Sequence, residues 1–241
     1  MPPLDPPPRL VVFDLDDTLL DHRAAERAAL ADVHRLHAAH IGHHDLAHVQ
    51  ETYHRHNVPL WRDYGAGTIT SGDLKRLRSE RLLQSLEAHT LDPAAFSDAY
   101  LERYAAHWRW AEGALDAYRA VAGRYPVGVL TNGFSEQQRG KLARLPEIEA
   151  HADLVVVSEE VGVMKPDPRL FHHVLGLARQ HIGADLGPAD VLYVGDSFHS
   201  DVEGGVGAGW RVAWLRGDSE RAPDGAVVFD TWGDLLQLLD L

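Results

Sequence analysis

Residues 9–18 read RLVVFDLDDT, a short apolar run followed at once by three carboxylates. A continuous apolar run of this length predicts a strand that is buried on both faces, here over Arg9–Asp14. Because Asp14 and Asp16 stand where this strand ends, they are the first candidates for a functional site.

Five further strands are predicted along the chain, and helical segments separate most of them. They cover Pro126–Thr131, Leu154–Ser158, Val191–Asp196, Arg211–Leu215 and Val227–Asp230. Strands that alternate with helices are typical of βαβ units, so the sequence predicts an α/β fold with a doubly wound, mostly parallel sheet. Such sheets bind ligands beyond the carboxyl ends of their strands.

The stretch between the first two strands is helical in character and too long to be an ordinary connection. We therefore predict an inserted helical cap domain over residues 21–110 and a core domain formed by residues 1–20 and 111–241. Pro59 is one of the residues at which we expect a helix of the cap to break.

The composition excludes several classes of function. The 241 residues carry a net charge of −13, which argues against a nucleic-acid partner, and they include no cysteine for disulfides or thiolate sites. No apolar run reaches the roughly 18 residues of a membrane span. The Pro-rich N-terminus lacks the apolar segment of a signal peptide, so we expect a cytoplasmic protein. The sequence does not predict an oligomeric state.

Polar residues with complementary chemistry follow three of the predicted strands. Thr131-Asn132-Gly133 can donate hydrogen bonds to phosphate oxygens through a hydroxyl, an amide and backbone N–H groups. Asp196 and Asp201 follow another strand, and carboxylates gathered at one sheet edge suit a hard cation such as Mg²⁺. Lys165, in a nearby loop, can pair with both a carboxylate and a phosphate.

Four short motifs, taken in their order along the chain, resemble those of the haloacid dehalogenase-like (HAD) hydrolase superfamily. They are Asp14-Leu15-Asp16-Asp17-Thr18, then Thr131, then Lys165, then Gly195-Asp196 with Asp201. The resemblance spans nearly the whole chain and implies a doubly wound parallel core with a helical cap between the first two motifs.

The resemblance also implies catalytic roles for these residues. Asp14 is the implied nucleophile and Asp16 the implied general acid and base. Thr131 and Asn132, beside Gly133, bind the phosphoryl oxygens, and Lys165 neutralises charge. Asp16 stands where the family's dehalogenases lack an acid/base carboxylate, which favours phosphotransfer over dehalogenation.

The implied cofactor is Mg²⁺. Its implied ligands are the Asp14 carboxylate, the Asp16 backbone carbonyl and Asp196, with support from Asp201. The predicted activity is hydrolysis of a small phosphorylated metabolite through an aspartyl-phosphate intermediate.

A closer resemblance concerns one branch of the superfamily. Segments around Trp61, around Lys165 and around Asp201 resemble pyrimidine 5′-nucleotidases and N-acylneuraminate-9-phosphatases. This suggests a nucleoside 5′-monophosphate as substrate. Two alternatives remain open, a sugar phosphomutase and a non-catalytic binding or regulatory protein with the same fold.

Histidines are concentrated in the predicted cap, where imidazoles spaced three residues apart could bind a metal or simply form a solvated helix face. Eight of them lie between residues 34 and 56: His34, His37, His40, His43, His44, His48, His54 and His56.

Overall fold

The computed structural model describes residues 2–241 and divides into two compact units. Of the described residues, the first comprises 2–21 and 109–241, and the second comprises His22–Trp108. Each unit has its own hydrophobic core. Among the described residues, no helix is both long and apolar enough to cross a membrane.

The first unit is built on a six-stranded sheet in which every neighbouring pair of strands is parallel. The strands are β1 (Leu10–Phe13), β2 (Val127–Thr131), β3 (Leu154–Val157), β4 (Val191–Gly195), β5 (Arg211–Leu215) and β6 (Ala226–Phe229). Their order across the sheet is β3-β2-β1-β4-β5-β6. The predicted α/β class with a doubly wound parallel sheet is therefore confirmed.

Twelve α-helices complete the two units, five in the second and seven in the first. The second unit contains α1 (His22–Leu36), α2 (Ala38–Ile41), α3 (Leu46–Gly65), α4 (Ser71–Ser85) and α5 (Pro93–Ala106). The first contains α6 (Ala114–Ala122), α7 (Ser135–Arg144), α8 (Pro146–His151), α9 (Ser158–Val161), α10 (Pro168–His181), α11 (Gly204–Gly207) and α12 (Trp232–Leu238).

Strand β1 lies in the middle of the sheet and is fully buried along its length. Val12 is in register with Gly128 of β2 on one side and with Tyr193 of β4 on the other. Strands covered by helices on both faces lose their contact with water, which explains why β1 is apolar without alternation. The central position of β1 also places its end beside the ends of β2 and β4.

Aromatic side chains fill the space between the sheet and α10. Phe171 is fully buried and meets Tyr193 and Trp210 edge-on, with ring centroids 5.6 Å and 5.3 Å apart. Edge-to-face pairs of this kind add to the stabilisation from buried area. The Tyr193 ring is thereby packed against Phe171, and its hydroxyl group lies near Asp201.

The second unit is entirely helical, and its core combines residues of all five helices or their connections. Helix α4 begins with a capping box in which Thr70 Oγ1 accepts from Asp73 N and the Asp73 carboxylate accepts from Thr70 N. This arrangement satisfies backbone donors that a helix start leaves without partners.

The expected helix break at Pro59 is wrong, because Pro59 lies inside the continuous helix α3. A proline removes one backbone hydrogen bond, in this case the one to the carbonyl of Arg55. Both residues are exposed, so water can reach the carbonyl and tertiary packing of the opposite face preserves the helix.

The segment after β4 begins with a wide helical turn. A π-helical turn covers Phe198–Glu203 and leads directly into α11. The Ser197 side chain accepts a hydrogen bond from Ser200 N and so caps the turn at its start. The wider turn was not visible in the pattern of apolar residues, because π-helical turns have no clear sequence period.

Replacing Phe171 with Ala should lower the free energy of unfolding by about 3–5 kcal/mol, because it opens a cavity between Tyr193 and Trp210. Urea denaturation followed by circular dichroism measures this change. The neighbouring exposed residue His172 provides the control, since His172→Ala should change stability by less than about 0.5 kcal/mol. Equal effects of the two substitutions would contradict the packing described for α10.

Candidate active site

Asp14 follows the last residue of β1 and is held there by the sheet. Its backbone N–H donates to Val194 O over 2.8 Å, which continues the pairing of β1 with β4. The chain then turns tightly, with Asp17 N bonded to Leu20 O and Leu20 N bonded to Leu15 O. Asp17 occupies the left-handed region at φ 63°, a costly conformation for a residue with a side chain. The turn fixes both Asp14 and the residues after it.

The Lys165 ammonium group lies at the centre of a buried polar cluster. Its Nζ donates to Asp14 Oδ1 over 2.6 Å, to Asp201 Oδ1 over 2.7 Å and to the Tyr193 hydroxyl over 2.7 Å. The Tyr193 hydroxyl in turn donates to Leu130 O over 3.0 Å. All three hydrogens of the ammonium group are thus used, as burial of a charged lysine requires.

The charges in this cluster shift one another's pKa values. Burial raises the pKa of Asp14 well above its usual value, and Asp201 and Asp196 add to this effect while Lys165 opposes it. Burial alone would lower the pKa of Lys165, but Asp14 and Asp201 outweigh it and the net shift is upward. Burial and the nearby carboxylates raise the pKa of Tyr193, so its phenol stays neutral.

Three carboxylates of the cluster could hold a cation. Asp14, Asp196 and Asp201 each offer one oxygen, and these oxygens lie within 4.8 Å of one another. The Asp196 backbone is fixed by Trp214, whose Nε1 donates to Asp196 O over 2.9 Å. A donor set of oxygens alone suits Mg²⁺, and the negative charge of three carboxylates exceeds that of the one ammonium beside them. The residues therefore fit a divalent cation of this type.

Gly195 provides the space that Asp201 occupies. A Cβ atom on Gly195 would overlap the Asp201 carboxylate, including its Cγ, which would be 2.5 Å away. Asp201 is fully buried, and its Oδ2 also accepts from Ser197 N over 2.9 Å. The glycine is therefore needed for close approach of the carboxylate to the end of β4.

Asp16 belongs to a second polar cluster, on the side of α7. Lys141 Nζ donates to both of its carboxylate oxygens, over 2.8 Å and 2.7 Å. Gln138 Nε2 lies 3.1 Å from Asp16 Oδ2 and 2.5 Å from Thr131 Oγ1. The Asp16 carboxylate is not one of the three carboxylates that could hold a cation.

The predicted phosphate-binding residues are the last residue of β2 and the two that follow it, and all three have partners in the structure. Asn132 Oδ1 accepts from Lys165 N over 2.8 Å, and Asn132 Nδ2 donates to Lys165 O over 3.0 Å. Gly133 N donates to Ser158 Oγ over 3.1 Å, so this N–H is already bonded. Gly133 also has φ 149°, and a Cβ there would lie 2.8 Å from Gln138 Cδ. Asn132 therefore holds the Lys165 loop in place, and the absence of a Cβ on Gly133 leaves room for the Gln138 side chain of α7.

A comparison with known protein families identifies the architecture. The family described as haloacid dehalogenase-like hydrolase matches residues 8–209 of the chain. The chain belongs to this family. The region that matches includes β1, all four predicted motifs and the whole second unit, so the resemblance inferred from the motifs is confirmed.

Similar proteins come from the predicted branch of the family. The chain is 34% identical over 182 residues to pyrimidine 5′-nucleotidase YjjG of Escherichia coli strain K12, covering 76% of each chain. It is 25% identical over 221 residues to human N-acylneuraminate-9-phosphatase, covering 86% of this chain and 82% of that protein. The expected similarity to both groups is confirmed.

A solved structure shows the same fold over the full length. The structure of YfnB from Bacillus subtilis, bound to magnesium, has a TM-score of 0.82 and 25% identity, covering 98% of this chain and 100% of that one. Relatives of this chain with named activities include phosphatases and nucleotidases. This chain is an enzyme of the same family.

Sequence reasoning missed three residues of this HAD site: Gln138, Lys141 and Tyr193. The first two lie three positions apart on α7 and are buried, although both are polar. Polar residues at helical spacing on the face that packs inward were the available signal. Tyr193 lies within an apolar strand, where a phenol is read as part of the core.

Three histidines of the second unit, His34, His40 and His44, form hydrogen bonds within that unit. His34 Nε2 lies 2.9 Å from His44 O, His44 Nε2 lies 3.0 Å from Leu86 O, and His40 Nδ1 lies 3.0 Å from Thr90 Oγ1. Across residues 2–241, the one group of three or more potential metal-binding side chains is that of Asp14, Asp196 and Asp201. The imidazoles thus stabilise helix connections.

Replacing Gly195 with Ala should displace Asp201 and weaken cation binding by about tenfold or more. Thermal unfolding at increasing MgCl₂ concentration measures this as a higher concentration for half-maximal stabilisation. Gly207→Ala is the matched control, because a Cβ there has open space around it. If both variants respond to Mg²⁺ like the wild type, the assigned packing of Asp201 against Gly195 is incorrect.

Proposed function

We propose that this HAD hydrolase is a Mg²⁺-dependent phosphomonoesterase that uses Asp14 as its nucleophile. The observation that carries the proposal is the position of Asp14 at the end of β1, where it contacts Lys165 and shares a cation-binding geometry with Asp196 and Asp201. Sheets of this type bind their ligands beyond the carboxyl ends of the parallel strands, which is where Asp14 lies.

Asp14, Asp196 and the Asp16 carbonyl would hold Mg²⁺, with Asp201 in support. When bound, Mg²⁺ polarises the phosphoryl group and offsets the charge of the carboxylates and the phosphate. Lys165 would supply further positive charge to the phosphoryl oxygens while it keeps Asp14 oriented through the 2.6 Å hydrogen bond to Oδ1.

The reaction then proceeds in two steps at Asp14. A carboxylate oxygen of Asp14 forms a bond to phosphorus as the bond from phosphorus to the leaving oxygen breaks, which gives an aspartyl-phosphate. Asp16 donates its proton to the leaving oxygen. In the second step Asp16 accepts a proton from water, which attacks phosphorus and releases Asp14 and inorganic phosphate.

Thr131 and Asn132 complete the phosphoryl site in this proposal. The Thr131 hydroxyl lies at the end of β2, and the Asn132 amide retains a second Nδ2 hydrogen besides the one bonded to Lys165 O. For Gly133 we propose a conformational role, since its N–H already donates to Ser158.

We propose a small phosphorylated metabolite as substrate, and a nucleoside 5′-monophosphate as the first to test. Support comes from the similarity to YjjG, which is named a pyrimidine 5′-nucleotidase. We further propose that the second unit is the cap domain of this hydrolase and that the enzyme works in the cytoplasm. The net charge of −13 supports a small-molecule substrate over a nucleic acid.

Phosphate release from a panel of nucleoside monophosphates and sugar phosphates tests the activity. We expect turnover of at least one pyrimidine nucleotide with Mg²⁺, loss of activity with EDTA, and recovery when excess Mg²⁺ is restored. Release of inorganic phosphate distinguishes hydrolysis from a phosphomutase reaction, which would yield an isomeric sugar phosphate. Full activity in EDTA would contradict the metal requirement.

Asp14→Asn should reduce the rate of phosphate release by about a thousandfold or more, because the amide is a poor nucleophile. Asp224→Asn makes the same chemical change at an exposed residue before β6, at the opposite edge of the sheet, and should leave the rate unchanged. Activity of Asp14→Asn near that of the control, in a preparation free of wild type, would overturn the assignment of the nucleophile.

A further inference from the structure

Helix α7 contributes a buried lysine to the site. The Lys141 side chain is only 3% exposed, and its Nζ contacts both carboxylate oxygens of Asp16. A buried ammonium is costly unless it is paired, so the sequence retains a charge where an apolar side chain would pack against the core more readily. Stability alone therefore gives little reason for a lysine at this position.

A second ion pair of the same helix shows the contrast. Arg139 Nη2 contacts Glu160 Oε2 over 2.6 Å, but the Arg139 side chain is 48% exposed. Exposed pairs contribute little to stability and hold their side chains loosely. In the pair of Lys141 with Asp16, the lysine is buried and its Nζ donates to both carboxylate oxygens. These two hydrogen bonds restrict the rotation of the Asp16 carboxylate.

Gln138 connects this pair to the residues that follow β2. Its Nε2 is within hydrogen-bonding distance of Asp16 Oδ2, of Thr131 Oγ1 and, at 3.2 Å, of Asn132 O. One side-chain amide thus ties the Asp16 carboxylate to the backbone and hydroxyl of the phosphoryl-binding segment. Asp16 is held relative to Thr131 from two points on one rigid helix.

We propose that Lys141, assisted by Gln138, is a positioning residue that sets the Asp16 carboxyl group at the leaving oxygen. The inference rests on the proposed function, in which Asp16 donates a proton as the bond between phosphorus and the leaving oxygen breaks. A carboxyl group that can rotate freely spends less time in the geometry needed for this transfer.

The dependence of the rate on the leaving group separates positioning from general stability. The leaving group of a nucleoside 5′-monophosphate is an alkoxide, which needs the proton from Asp16 to depart. The leaving group of 4-nitrophenyl phosphate is 4-nitrophenolate, which departs without a proton. The ratio kcat/KM reports the first irreversible step, which is transfer of the phosphoryl group to Asp14. Loss of Asp16 positioning should therefore reduce kcat/KM for the alkyl ester and spare that for 4-nitrophenyl phosphate.

The test compares Lys141→Met with the wild type on UMP, or the best alkyl substrate of the panel, and on 4-nitrophenyl phosphate. We expect kcat/KM to fall by about tenfold or more for the alkyl ester and by less than about twofold for the aryl ester. Arg139→Met, on the same helix, should change neither. Thermal unfolding identifies loss of folded protein, in which case Lys141→Gln, which keeps a polar side chain, is measured in its place.

A double-mutant cycle shows whether Lys141 acts through Asp16. If it does, adding Lys141→Met to Asp16→Asn should cause no further loss of kcat/KM on the alkyl ester, because the positioned group is already absent. A full additional loss in the double variant, or an equal loss on both substrates in Lys141→Met, would overturn the inference while leaving the phosphatase assignment intact. Absence of chelator-sensitive hydrolysis by the wild type would instead refute the proposed function and the inference with it.

Discussion

The hydrogen bonds of the Lys165 ammonium to Asp14, Asp201 and Tyr193 are the constraint on which the site depends. Asp201 is fully buried and the other groups nearly so, and an unpaired charge at such a depth would cost several kcal/mol. The charges persist because each satisfies another. With Asp196 included, three carboxylates stand against one ammonium, so the cluster retains a net attraction for a cation.

The topology of the sheet explains how residues distant in sequence reach this cluster. Strand β1 lies between β2 and β4, and in a parallel sheet all three end at the same edge. Asp14, Thr131 and Asp196 therefore meet although more than a hundred residues separate the first from the second. The Lys165 loop is then fixed by Asn132, which bonds both the N–H and the carbonyl of the lysine.

Prediction from the sequence succeeded where a single local pattern determines the outcome. Apolar runs identified all six strands. The polar residues at the ends of β1, β2 and β4 were predicted to lie at one edge of the sheet, and the strand order places these three ends side by side. The pattern failed where tertiary contacts decide. Pro59 remains inside α3 because Pro59 and Arg55, whose carbonyl loses its hydrogen bond, are both exposed to water. Lys141 and Gln138 are recognisable as site residues only once α7 is placed beside Asp16.

The two polar clusters of the site form one connected network. Asp16 bonds Lys141 and Gln138, Gln138 reaches the carbonyl of Asn132, and the Asn132 side chain bonds the backbone of Lys165. Lys165 in turn contacts Asp14. Groups coupled in this way respond together to a change at any one of them. Asp14, the proposed nucleophile, and Asp16, the proposed acid, are thus supported by one set of contacts.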